Sequence, residues 1–121
     1  MSTRANIKVE YNNNKKLYFY SHYDGYPDGG VGDDIKSIIS ANDWDAVGIV
    51  MDLIDSYEHT GGIHGDIEFY YVIDLNNEQV ICHHVKDVVD GEIIDKEEPK
   101  FYIRKENNYG MANRCIDTCI F

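Results

Sequence analysis

Chemically active side chains are concentrated in the segment 21–30, SHYDGYPDGG, which directly follows a strand-like stretch. The segment contains an imidazole, His22, together with two carboxylates and two phenols. Polar loops mounted on a rigid scaffold are where binding and catalytic groups tend to concentrate. This segment is therefore the first candidate for a functional site.

The N-terminal hairpin described below adds an arginine to this candidate site. Arg4 could bind a phosphate or carboxylate through paired hydrogen bonds, and His22 could act as an acid or a base. Asp24 could orient either group, and Tyr26 could stack on a ligand. The competing interpretation is structural: Asp24 forms a salt bridge with Arg4, and Gly25-Tyr26-Pro27 is a turn. The residues predicted to bind a ligand or partner are Arg4, Tyr20, His22, Tyr23, Asp24 and Tyr26.

Two short motifs point to a known group of proteins. They are the opening Met1-Ser2-Thr3-Arg4 and the motif Tyr20-x-His22-x-Asp24-Gly25-Tyr26-Pro27. With both in this order, the chain resembles small proteins of phages, prophages and plasmids that begin MSTR or MATR and carry a Y-x-H-x-D-G-Y-P loop. The resemblance extends from the N-terminus to about Asn76. It implies a mobile-element origin and an accessory role in the host cytoplasm, and it implies no particular chemistry.

Composition limits the class of partner. The chain has 121 residues, 43% of them hydrophobic, and carries 22 acidic and 11 basic residues for a net charge of −11. This length and apolar content are typical of one folded domain. We expect no direct nucleic-acid binding, because that binding depends on Lys and Arg neutralising phosphates. The same charge is compatible with capture of a basic partner that otherwise binds nucleic acid. The alternative, favoured for an acidic domain in general, is that the charge only keeps the protein soluble.

The remaining motifs exclude several classes of site. No apolar run approaches the roughly 18 residues of a membrane span, and no signal segment opens the chain, so a cytoplasmic protein is predicted. Glycines precede the first predicted helix, but no Lys-Ser or Lys-Thr follows them as in a phosphate-binding loop. The segments 59–66 and 82–84 contain histidines without the spacing of a zinc site. No metal or cofactor is therefore predicted.

Three cysteines indicate the redox compartment. Cys82, Cys115 and Cys119 are odd in number and do not form a disulfide framework, which is typical of reduced thiols in a cytoplasm. If the C-terminal stretch is helical, the last two share one face. Packed thiols are favoured there over a pair of metal ligands.

The N-terminal residues predict a β-hairpin, because the stretches on both sides of an Asn-rich turn alternate apolar and polar side chains. If the hairpin is centred near Asn14, Ile7 lies opposite Ser21 and Arg4 lies opposite Asp24. This register collects the apolar side chains on one face. It also makes the N-terminus a neighbour of the candidate site.

Two helices are predicted after the candidate site. The first is a short helix over Ile35–Ser40, capped by Asp33-Asp34, and the second is capped by Asn42 or Asp43. Apolar residues of the second helix recur at spacings of three and four, and we expect this stripe to pack on a sheet rather than to form a ligand groove. The stripe consists of Trp44, Val47, Val50, Met51, Ile54 and Tyr57.

The second half of the chain reads mainly as strand. Residues 67–75 and 79–85 are rich in β-branched and aromatic side chains, and Asp90-Gly91 is typical of a tight hairpin turn. Residues 101–105 predict a further strand. Residues 109–121 fit either a helix or a strand. The predicted architecture is a single α+β domain, an antiparallel sheet with two helices packed on one face.

These observations favour a small acidic accessory protein that acts by binding. The predicted partner is a host or phage protein, in a host-directed or counter-defence role, or an anionic small molecule. The sequence leaves a homo-oligomer open and predicts no membrane association. The alternative function is a small hydrolase or transferase that uses His22 and Asp24. Binding is favoured because no complete catalytic set with recognisable spacing occurs.

Overall fold

The N-terminal hairpin lies at the centre of a six-stranded sheet in the computed structural model, which describes residues 3–104. The elements in chain order are β1 (Ala5–Tyr11), β2 (Lys15–Ser21), α1 (Val31–Asn42), α2 (Ala46–Ser56), β3 (Glu58–Thr60), β4 (Phe69–Asp74), β5 (Gln79–Val89) and β6 (Glu92–Arg104). The strand order is β3-β2-β1-β4-β5-β6. None of the helices in this part of the chain has the length and apolar character needed to cross a membrane.

The predicted α+β class is confirmed, but the sheet is mixed rather than wholly antiparallel. β1 and β4 pair in parallel, with Ala5 opposite Phe69, and the other neighbouring strands are antiparallel. The physical reason is the connection. Parallel neighbours need a long crossover, and the chain from β2 through both helices and β3 supplies one before it enters β4 beside β1.

The hairpin register differs from the prediction by two residues. Ile7 lies opposite Phe19, and Ala5 rather than Ile7 lies opposite Ser21. The turn is centred one residue earlier than predicted, because Asn12 and Asn13 adopt left-handed backbone angles (φ 46° and 67°), which Asn tolerates well. A shift of two residues leaves every side chain on its predicted face.

Both helices pack on the same face of the sheet. Ile35 and Ile39 of α1 and Ile49 and Leu53 of α2 are buried there. Burial of each such side chain stabilises the fold by roughly 1.5–3 kcal/mol. The strand residues that complete this core are Ala5, Ile7, Val9, Phe19, Tyr71, Ile73, Val80, Cys82 and Ile103.

The predicted helix boundaries are corrected at both N-termini. α1 begins at Val31, and the Asp33 side chain accepts a hydrogen bond from the Gly29 amide (2.7 Å) instead of capping a helix at Ile35. α2 is capped by Asp45, whose carboxylate accepts from the Gly48 amide at 2.9 Å.

The prediction that the apolar stripe of α2 packs on the sheet is wrong for Val47, Met51 and Ile54. Val47 is 71% exposed, Met51 59% and Ile54 55%, whereas Ile49 and Leu53 are buried. α2 has apolar residues on two sides, so periodicity alone did not decide which side faces the sheet. The other members of the stripe, Trp44, Val50 and Tyr57, are partly buried against the core.

The strands of the second half are confirmed with two differences. β6 is continuous from Glu92 and does not begin near residue 101, and β3 was not predicted. The turn at Asp90 and Gly91 has both residues left-handed (φ 52° and 78°), as a tight hairpin requires. Cys82 is a buried free thiol. Cys115, Cys119 and the segment 109–121 lie outside the described residues.

Candidate functional site

The backbone of the predicted loop holds the start of α1. The Asp24 carbonyl accepts a hydrogen bond from the Val31 amide (2.8 Å), and the Tyr26 carbonyl accepts from the Gly32 amide (3.0 Å). The first amides of a helix have no partner within the helix. The loop supplies those partners, so residues 24–32 form a rigid connection between β2 and α1.

Gly25 attaches this loop to the sheet. Its amide donates to the Thr3 carbonyl (2.9 Å), and its carbonyl accepts from the buried Tyr71 hydroxyl (2.6 Å). Burial raises the pKa of the Tyr71 phenol and raises the pKa of the neighbouring Cys82 thiol to about 12. Both groups therefore stay protonated at physiological pH and act as packed, uncharged side chains.

The predicted salt bridge between Arg4 and Asp24 is wrong. Arg4 pairs with Asp66, with 3.3 Å between Nε and Oδ2. Asp24 has a left-handed backbone (φ 52°), and its side chain is exposed. The shifted hairpin register explains the difference, because it places Arg4 two residues away from its predicted position relative to Asp24.

Tyr20 is the centre of the side-chain cluster that forms instead. Its hydroxyl lies 2.9 and 2.8 Å from the two carboxylate oxygens of Asp66 and donates to them. The His64 ring stacks on the Tyr20 ring at 3.8 Å, and the His22 ring meets its edge at 4.6 Å. Burial, followed by the hydrogen bond to Asp66, raises the pKa of Tyr20 to about 12.

Both histidines have a second partner on or beside β3. His22 Nε2 lies 2.9 Å from a Glu58 carboxylate oxygen, and His64 Nε2 lies 2.8 Å from the Thr60 hydroxyl. Each titratable group around Tyr20 is thus paired with another member of the group. We call this set the Tyr20 cluster: Arg4, Tyr20, His22, Glu58, Thr60, His64 and Asp66.

A buried asparagine holds the loop that carries His64. The Asn6 side-chain amide donates to the carbonyls of Phe19 (3.1 Å) and Gly62 (3.0 Å). Its carbonyl oxygen accepts from the His64 amide at 2.8 Å. Sequence analysis missed Asn6. The available signal was a polar residue within an otherwise regular strand, but two of its three partners, Gly62 and His64, lie more than fifty residues away.

The six predicted site residues fall into two groups. Arg4, Tyr20 and His22 belong to the Tyr20 cluster, and the exposed Tyr23 lies beside it, with its ring 6.1 Å from that of His22. Asp24 and Tyr26 belong to the connection to α1. Whether any of the six contacts a ligand stays a prediction. His22 contacts Glu58, and the enzymatic alternative that uses His22 and Asp24 also stays a prediction.

Two further histidines lie in the long β5–β6 hairpin. His83 and His84 both contact Glu97: Nδ1 of His83 lies 2.8 Å from its carbonyl, and Nδ1 of His84 lies 3.3 Å from its carboxylate. Lys100 pairs with the same carboxylate, and these hydrogen bonds hold the pKa of Glu97 below its usual value. Within residues 3–104, no three His, Cys, Asp or Glu side chains are grouped to hold a metal ion.

Alkaline pH is expected to unfold the chain cooperatively. Unfolded phenols ionise near pH 10, and the folded state keeps its buried phenols protonated to higher pH. As pH rises above about 10, the unfolded state therefore loses protons first, and the free energy of unfolding falls. Phenolate absorbance and circular dichroism should change together between about pH 10 and 12. The phenols and the thiol with raised pKa are Tyr20, Tyr57, Tyr70, Tyr71 and Cys82.

Titration of all ten tyrosines near pH 10 without loss of secondary structure would contradict this expectation. The stabilisation from these groups is fully present below the unfolded pKa values, the lowest of which is about 8.5 for a thiol, so the same measurement should show no change in stability from this source between about pH 6 and 7.5.

A second surface lies on α2. Val47, Met51 and Ile54 form a line of exposed apolar side chains, which we call the α2 face. At about 100° per residue, this line lies on the side of the helix away from Ile49 and Leu53. The exposed line and the buried side are thus separate surfaces of one helix.

Acidic side chains lie on one side of α2. Asp55 borders the α2 face next to Met51, whereas Asp52 accepts a hydrogen bond from the Asn42 side-chain amide (2.9 Å) and Asp45 caps the helix through the Gly48 amide (2.9 Å). Residues 37–85 contain no Lys or Arg. Their acidic residues are Asp43, Asp45, Asp52, Asp55, Glu58, Asp66, Glu68, Asp74 and Glu78.

Comparison of the chain with protein-family models, with curated proteins and with solved structures finds no match.

Proposed function

We propose that this chain acts by binding a basic protein partner and that the α2 face makes the contact. The observation that carries the proposal is the line of three apolar side chains, each more than half exposed, on a helix whose other side is in the core. Single exposed apolar residues are common on monomers, but contiguous patches rimmed by polar residues mark interaction sites.

Charge identifies the class of partner. The Asp55 carboxylate borders the α2 face, and residues 37–85 contain nine acidic side chains and no basic one to neutralise them. An anionic small molecule would be repelled from this surface, whereas Lys and Arg of a protein partner would be attracted and steered towards it. Between the two predicted partners, the protein is therefore favoured.

In this proposal the Tyr20 cluster has a structural role. Its carboxylates, phenol, guanidinium and imidazoles are paired with each other, which stabilises the loop over Asn6. Together with the resemblance of the N-terminal motifs of the chain, this pairing favours an accessory protein in the host cell that binds a host or phage protein. A partner whose basic surface otherwise contacts nucleic acid fits the charge.

The proposal is tested by comparing two variants that place a charge on equally exposed apolar residues. Met51 on the α2 face and Ile94 on the β5–β6 hairpin are both 59% exposed. The tagged full-length chain should retain a basic protein from host extract, and high salt should release it. Met51→Glu should weaken retention at least about tenfold, the effect of losing about 1.4 kcal/mol. Ile94→Glu should retain the partner like the parent.

A third variant separates the two candidate surfaces. His22→Ala alters the exposed part of segment 21–30 and leaves α2 intact, so retention should be unchanged. Loss of the partner in His22→Ala, with normal retention by Met51→Glu, would move the binding site to the predicted loop. Equal retention by Met51→Glu and the parent would overturn the assignment of the α2 face.

A further inference from the structure

We infer that the partner segment seated on the α2 face is an amphipathic α-helix with Lys or Arg beside its apolar stripe. This inference rests on the proposed function and names the form of the partner. Three observations carry it. They are the spacing of the exposed side chains, the carboxylates on one side of the row, and the backbone of α2, whose amides and carbonyls are bonded within the helix and its caps.

The spacing matches the ridge of a helix. Val47, Met51 and Ile54 are separated by four and three residues, so they form one row about 10 Å long at 1.5 Å per residue. Such rows fit the grooves between side chains of a second helix, which is the usual way that helices pack. A partner helix would present apolar residues at the same spacing.

A strand is a poorer occupant for this surface. Peptides bound as strands gain their affinity from backbone hydrogen bonds to the exposed edge of a sheet. The backbone amides and carbonyls of α2 are used within the helix and its caps, including the bond from the Tyr57 amide to the Leu53 carbonyl. Side-chain packing is thus the means of contact that the α2 face offers.

The flanks of the face are not equivalent. Asp55 borders the apolar row on one side, with Asp52 further round the helix where it is bonded to Asn42, and the opposite side leads through Val50 to the core. Basic residues along one side of the partner helix would lie opposite these carboxylates. A second copy of this chain is disfavoured as the occupant, because each copy carries a net charge of −11.

The probe is a synthetic fluorescent peptide of about 14 residues, a length that is only marginally helical alone in water. It carries Leu at i, i+4, i+7 and i+11 and Lys at the flanking positions. One control peptide has the same composition with Leu and Lys alternating, and a second has Glu in place of Lys. Binding to the full-length chain is measured by fluorescence anisotropy, and peptide helicity by circular dichroism.

The helical Lys peptide should bind the parent and Ile94→Glu equally and should gain helicity on binding. Its affinity for Met51→Glu should fall at least about tenfold. The alternating peptide should bind at least about tenfold more weakly than the helical one, and the Glu peptide weaker still. Equal binding of the helical and alternating peptides would overturn the inference.

The two proposals fail in different ways. If the partner from host extract is lost in Met51→Glu but the helical peptide does not bind, the α2 face is a binding site and its occupant is not such a helix. If neither responds to Met51→Glu, both proposals fall.

Labelling of Met51→Cys by a maleimide in the free chain should be fast. Slow labelling would mean that the α2 face is already covered. Sedimentation would then separate a second copy, which gives a dimer, from residues 105–121, which leave a monomer. Either result would overturn the inference.

Discussion

Gly32→Ala is expected to lower the free energy of unfolding by about 3 kcal/mol or more, the upper range for forcing extra atoms into a packed interior. A methyl group on Gly32 would lie 2.1 Å from the Pro27 carbonyl oxygen and 2.5 Å from the Pro27 Cα atom. Both are backbone atoms, so no side chain can rotate away. The loop cannot withdraw without breaking the bond between the Gly32 amide and the Tyr26 carbonyl. The melting temperature should fall by about 10 °C.

The sign of this effect is diagnostic. Gly32 lies in the first turn of α1, where alanine is normally the better helix former by about 1 kcal/mol. Local propensity therefore predicts stabilisation, and only the close approach of Pro27 predicts the opposite. Gly61→Ala is the matched control, because a methyl group there meets no atom within 4 Å. It should change stability by less than about 0.5 kcal/mol.

A Gly32→Ala variant as stable as the parent would show that the contact between the loop and α1 is loose. Urea denaturation of the parent and both variants measures the effect directly. This experiment also bears on the motif that led to the candidate site. If the prediction holds, the glycines after Asp24-Gly25-Tyr26-Pro27 are required by backbone packing, and they need no ligand to explain them.

Strand patterns in the sequence predicted faces better than they predicted pairs. Alternation along 5–11 and 15–21 put Ile7 and Phe19 on the core side, and the structure confirms it. The exact pairing depended on the turn, and an Asn-rich turn can be centred on either of two neighbouring residues. The error moved Arg4 away from Asp24, and the predicted ion pair was lost with it.

Helix patterns failed for a different reason. α2 has apolar residues on two sides, so its sequence is compatible with two orientations on the sheet. The orientation depends on where the crossover places the helix, with Asp45 as its cap and Tyr57 bonded to Asp34 of α1. Neither contact follows from periodicity. The orientation that the crossover imposes leaves the row of the α2 face exposed. The sequence pattern did not predict that exposure.

The Tyr20 cluster was predictable in part. Tyr20 and His22 lie at the end of β2, next to a polar loop, and Arg4 is brought close by the hairpin. Asp66 and His64 could not be assigned to them, because about forty residues of helix and loop intervene and no local pattern fixes that path. The Asn6 side chain joins β1 to the loop that carries His64, because it forms hydrogen bonds with the Gly62 carbonyl and the His64 amide.

Asn6→Asp is expected to destabilise the chain by about 3 kcal/mol at neutral pH, because it places an unpaired charge among buried acceptors. The substitution keeps the shape of the side chain and the acceptor for the His64 amide. It replaces the donor that lies 3.1 Å from the Phe19 carbonyl and 3.0 Å from the Gly62 carbonyl with a second oxygen. Asn6 is fully buried, so water cannot relieve the repulsion.

The pH dependence identifies the cause. Burial and the two carbonyl oxygens raise the pKa of the new carboxyl group above its unfolded value of about 3.9. Below about pH 3.9 this carboxyl group is protonated in both the folded and the unfolded state. The stability difference from the parent should therefore be smallest near pH 4 and should grow as pH rises through the folded pKa. Asn14→Asp makes the same change in the exposed hairpin turn and should match the parent at every pH.

Limited proteolysis gives a second measurement on the same variants. Loss of the bonds from Asn6 should release residues 61–66 from the sheet, so cleavage within that loop should be faster in Asn6→Asp than in Asn14→Asp. It should slow again as the new carboxyl group is protonated. Equal stability and equal cleavage of the two variants at neutral pH would mean that Asn6 does not hold this loop. In that case the Tyr20 cluster would owe its arrangement to the pairing of Tyr20, Arg4 and Asp66 alone.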